Sequence, residues 1–311
     1  MKFLWIILFL LVNTVIASTQ HTQKENNVLI VKRFEIAVDK IEKLGQSEQY
    51  EAALLLCNQY LDEYQNNNDP EIEEWIAEVS LYRAATFGKL GKKEKEIEGY
   101  TLIVEKYKQS KSDKVQKVIA RALLFKGIAF HVENKWAESI IFFDQVIQKF
   151  EYSNINNVDE YVLRAIVNKA VVLLKLGKVD EESALLEYAM KKYQNNNNYS
   201  VIYLMPLVIN LRAESMLMKK EVINEEISKL MYKYIDFQND IGVFEMLLIL
   251  QNAKIASQDE KIEEWIKKFG KINNIYWNFD IFEDRLDRIE LDTNANQRIK
   301  KYIGVFKSYL K

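Results

Sequence analysis

The sequence predicts an all-α protein, an α-solenoid of stacked antiparallel helix pairs with a C-terminal helical cap. Three observations predict it. Glycine and proline are scarce, 9 and 2 in 311 residues, so the chain lacks the punctuation that short strands need. Apolar residues recur at three-four spacing over long stretches, which places them on one helix face. Aromatic rungs return at a constant interval of 43 residues: Tyr64, Tyr107, Phe150 and Tyr193, with Cys57, Tyr100, Phe143 and Leu186 beside them. A fixed period of that length means one helical unit stacked on copies of itself.

The elements follow in order. Residues 1–17, MKFLWIILFLLVNTVIA, read as an export signal. Lys2 gives a positive start, the apolar run from Phe3 to Val12 is short of the about 20 residues a span needs, and the cut falls between Ala17 and Ser18. This predicts a periplasmic or secreted protein, with an uncleaved membrane anchor as the alternative. Residues 18–25 are a short flexible N-terminus. Residues 26–237 form the stack, about five helix pairs.

Each first helix carries a small or slim residue, Ile41, Ala84, Gly127, Ala170 and Ala213, three positions before a bulky one, Leu44, Phe87, Phe130, Leu173 and Met216. The small residue lets a neighbouring helix approach and the bulky one fills the space beside it. Gly91, Asn134 and Gly177 end these helices, as left-handed turn residues do. The equivalent Glu48 departs from that pattern, with Gly45 just ahead of it. Each second helix presents a stripe: Leu54, Cys57, Leu61 and Tyr64; Ile97, Tyr100, Val104 and Tyr107; Ile140, Phe143, Ile147 and Phe150; Ser183, Leu186, Met190 and Tyr193. With one residue inserted, Ile227, Leu230, Tyr234 and Phe237 make a degraded fifth. The connections, such as QNNNDP (65–70) and QNNNNY (194–199), have turn compositions. Asp69 before Pro70 reads as a helix cap, as do Ser112 and Asn157. Residues 238–311 are expected to cap the last interface of the stack.

Leu123-x₂-Lys126-Gly127-x₂-Phe130 followed by Ser139-x₃-Phe143, and Ala53-x₃-Cys57 in the first pair, resemble the tetratricopeptide repeat over residues 30 to 237. The terminal proline of that signature is missing from every unit, and the longer period resembles the long-helix variety of the family. The resemblance implies a concave surface lined by the first helices that binds a peptide or an amphipathic helix. Its groove positions would be Leu81 with Ala85, Leu124 with Ile128, Val167 with Val171, and Asn210 with Glu214. The first three pairs are apolar, which suits an amphipathic helix.

A net charge of −2 excludes the globally basic surface of a nucleic-acid binder. Charge is uneven: seven Lys or Arg against Asp113 between Lys106 and Lys126, and acids from Glu71 to Glu78. These read as solvated faces, or as a docking patch for an acidic partner. Lys40, Arg83, Lys126, Lys169 and Arg212 share one register. They are stems packed along helices with heads in water, or a line that recognises carboxylates. The single Cys57 is expected in the core. Only His21 and His131 are present. No metal spacing, phosphate loop or nucleophile–base pair stands out, so neither a cofactor nor an enzyme is expected. The reading is an exported, non-enzymatic adaptor for a protein partner. The alternative is an envelope structural protein associated with wall polymer or a membrane surface.

Overall fold

The computed structural model describes residues 26–64, 66–219, 221 and 225–234. The export signal, the short N-terminus after it and the C-terminal cap lie outside the described residues, as do Gln65 and Phe237. Within them every regular element is an α-helix: α1 (26–46), α2 (Tyr50–Tyr64), α3 (Pro70–Lys89), α4 (Lys93–Tyr107), α5 (Asp113–Val132), α6 (Trp136–Phe150), α7 (Asp159–Lys175), α8 (Val179–Tyr193), α9 (Tyr199–Met218) and α10 (Glu225–Tyr234). Contacts divide the chain into two bodies. Of the described residues, one holds those up to Val146 and Tyr152–Val158; the other holds 147–151 and those from Asp159 to Tyr234.

The turn inside each pair shows why the period is so regular. Glu48, Gly91, Asn134 and Gly177 all take positive φ, at 58°, 71°, 58° and 72°. The amide that follows each one reaches back to the bulky residue of the first helix. Gln49 donates to the Leu44 carbonyl at 2.8 Å, Lys92 to Phe87 at 2.8 Å, Lys135 to Phe130 at 2.9 Å and Lys178 to Leu173 at 2.9 Å. This double-bonded helix end satisfies carbonyls that would otherwise be orphaned. Glu48 therefore keeps the register that its side chain disfavours. Gly45 is not the turn residue; it is helical, and its carbonyl accepts from Glu48 N at 3.1 Å.

The connections between pairs repeat as well. The Asn67 side-chain oxygen accepts from Asp69 N, and Asp69 in turn accepts from the amides of Glu71 and Ile72, with Pro70 at the first helical position. In the other body Asn196 and Asn198 do the same for Asn198 N and Ser200 N. Ser112 caps α5 through Val115 N at 3.3 Å. Asn157 turns the chain at φ 62°, two residues ahead of α7.

In the first body α2 packs on α3, α3 on α4 and α4 on α5, with α3 also against α5. The rungs Cys57, Tyr64, Tyr100, Tyr107 and Phe143 are buried. Burial also pushes the Cys57 thiol up to about 12, so it stays protonated and inert. Small residues sit where helices touch. A Cβ added at Gly127 would lie 2.6 Å from the Phe143 ring, and one at Gly99 would lie 2.7 Å from the Ala84 Cβ. In the second body α7, α8 and α9 pack on one another and α10 on α9. Phe150, Leu186, Tyr193, Ala170 and Ala213 are buried there, as are Ile227 and Leu230 of the degraded fifth pair. α9 contains Pro206, which forgoes one backbone bond inside the helix.

Candidate interaction surface

The first helices of the first body present a polar network, not a bare apolar groove. On α3, Leu81 is buried and Ala85 half-buried; on α5 the same holds for Leu124 and Ile128. In the second body Val167 and Asn210 are buried, with Val171 and Glu214 half-buried. The inner member of every expected pair is thus spent on packing. What the first body leaves open beside Ala85 and Ile128 is a set of groups the groove expectation did not include. Arg121 bonds Glu78, one period earlier, and its guanidinium stands 5.8 Å from the Tyr82 ring centroid. The Tyr82 hydroxyl bonds Glu42 on α1. The signal for these residues was in the sequence, because Glu78 and Arg121 are register partners of opposite charge.

The two charge runs answer each other. Lys114 pairs with Glu74 at 2.9 Å, Ser112 Oγ donates to the same carboxylate at 2.6 Å, and Arg121 pairs with Glu78. The acids of α3 thereby neutralise part of the basic stretch of α5 and help hold consecutive pairs in register. Among the described residues that leaves Lys106, Lys108, Lys111, Lys117 and Lys126 outside the pairing with acids.

The basic column does not keep all its heads in water. Lys40 is exposed, while Arg83 and Lys169 are half-buried. Lys126 Nζ donates to Thr101 Oγ1 at 2.7 Å and rests 4.4 Å from the Phe142 ring centroid. Burial lowers its pKa. Arg212 is buried and bonds Glu187 Oε1 through Nε at 3.0 Å and Nη2 at 2.6 Å. Partners on the neighbouring second helix draw these two heads inward, a feature that register alone does not reveal.

One buried carboxyl was not anticipated. Glu182 is 0% exposed and its Oε1 has no hydrogen-bond partner. Burial pushes its pKa up to about 7, with Ser215, Ser183 and Arg212 opposing and Glu214 adding to the rise. His131 is half-buried on α5. Among the described residues no group of His, Cys, Asp or Glu is placed to hold a metal ion, and no helix is long and apolar enough to cross a membrane.

No family model and no curated protein matches the chain. Among solved structures it is similar to a protein described as a kinesin light chain with nearly identical TPR-like repeats, from Podosopora anserina. That match has 14% identity and a TM-score of 0.47, covering 66% of this chain and 93% of that one. A tetratricopeptide repeat protein from Parabacteroides merdae is also similar, at 14% identity and a TM-score of 0.47, covering 82% of this chain and 83% of that one.

Proposed function

We propose that the chain is an exported, non-enzymatic scaffold that binds a protein partner through the face of its first helices. The observation that carries this reading is the recurrence of one packing layer every 43 residues, seen most directly where Arg121 bonds Glu78 one period away. Within each body the pairs bury their apolar side chains against one another, which leaves the outer helical faces as the working surface. On the first body that face combines Ala85 and Ile128 with Tyr82, Glu42 and Arg121. It suits an amphipathic partner with both apolar and charged groups. The export reading rests on residues 1–17 and their resemblance to a cleaved signal.

Cross-linking in the native envelope tests both parts. A protein captured through this face supports the scaffold, and an Arg121→Glu, Ile128→Asp double variant should lose it while staying folded. Undiminished capture by that variant removes the face from consideration. Retention by purified wall polymer alone would favour a structural role in the envelope.

A further inference from the structure

The second repeat departs from the packing of the third and fourth. In the register of Ala37, Ser80, Leu123, Ile166 and Ile209, the third pair onward has a branched apolar residue and the second has a serine. In the register of Leu56, Gly99, Phe142 and Leu185, the second pair alone has no side chain. The two positions border one space. Ser80 and Gly99 line one cleft of about 240 Å³ in the first body, with Leu61 and Ile76 among its apolar walls and Arg83 and Lys106 beside them.

The third repeat shows how the equivalent cation is used. There Lys126, the equivalent of Arg83, lies over the Phe142 ring, the equivalent of Gly99. Arg83 has the cation without the ring. It also has no carboxylate partner among the described residues, and nor does Lys106. A half-buried guanidinium facing an apolar hollow is under-used in two ways: it can cover an aromatic face and it can hold a carboxylate with two donors.

We infer that this cleft is a socket for an aromatic side chain flanked by a carboxylate on a partner peptide. The ring lies against Arg83 as the Phe142 ring lies against Lys126, and Arg83 with Lys106 meets the acid. The volume suits one side chain, since pockets for whole small ligands run larger, at about 300 Å³ or more. The socket lies among α2, α3 and α4, lined by residues other than the Ala85 and Ile128 columns, so it would be a second contact for a partner held by the face proposed above. It rests on the scaffold reading for its occupant.

The test uses the full chain with methyl-resolved NMR of Leu61 and Ile76, titrated with 3-phenylpropionate, phenethylamine and octanoate. Methyl shifts with 3-phenylpropionate, and a response to phenethylamine weaker by about tenfold or more, are expected from a charge-assisted contact. Ser80→Leu, which installs the residue found at position 123, should abolish the shifts. Arg83→Gln should erase the preference between acid and amine. No response, an equal response to acid and amine, or a response to octanoate alone overturns the inference. The probes need no protein partner, so a failed cross-linking experiment would sink the scaffold reading while leaving this result standing.

Discussion

The second and fourth repeats meet the same difficulty and solve it differently. Where the first and third pairs place Ala53 and Ser139, these two place a glutamate against the first helix. Glu96 is buried beside Gly88, yet Lys93 Nζ reaches it at 2.8 Å and the Tyr100 hydroxyl at 3.4 Å. Glu182 has Ser183 at 3.4 Å, and its second oxygen has no partner. Both are tolerated, one by pairing and the other by holding its proton. The lesson is that a repeat position fixes burial and leaves the electrostatic remedy to the neighbours.

The largest expected effect tests the premise that this column borders a core. Phe143→Ala should cost about 3–5 kcal/mol in urea unfolding, as buried aromatics do. A loss under about 1 kcal/mol would mean that the Gly127 contact is not a packed layer.

The next effect separates the two glutamates by pH. The folded value of Glu182, about 7, lies above its ordinary 4.5. Between those values the folded chain keeps a proton that the unfolded chain has lost. Its contribution is therefore full below the lower value and falls as pH rises through 7, by about 3 kcal/mol in total. Glu182→Gln should flatten that slope between about pH 5 and 8 and raise the midpoint at the upper end of that range. Equal slopes in the two proteins would break the comparison. Lys93→Met should then cost about 1–2 kcal/mol by stripping Glu96 of its charged partner, which urea melts at neutral pH would register.

A smaller change sharpens the turn. Glu48→Gly should stabilise by up to about 1 kcal/mol, because glycine enters the left-handed region without strain. Gly91→Ala should lose a similar amount. Paired thermal melts would show the opposite signs.

Much of this architecture was legible because stacking copies its constraints along the chain. The aromatic rungs, the small residues at helix contacts and the caps at Asp69 and Ser112 all follow from local geometry repeated at one interval. Glu48 was harder, since its side chain argues against the backbone it adopts and only its register places it. The exposure of the groove positions was read less well. Leu81 and Leu124 look available on a helical wheel, but both are buried. The bonds from Arg121 to Glu78 and from Tyr82 to Glu42 depend on which neighbour comes within reach, which periodicity alone does not state. Glu182 escaped notice because an acid in a column that also holds Ala53, Glu96 and Ser139 reads as surface until its neighbours close over it.

The four left-handed turns have a further implication for how such a chain can change its length. Because each turn recurs at the same 43-residue interval, and Arg121 bonds Glu78 across one such interval, removal of a whole period rejoins a first helix to another first helix in phase. Removing a few residues more or fewer would rotate every downstream stripe off its mate. The molecule is free to lengthen or shorten in whole steps, and is rigid against any fraction of one.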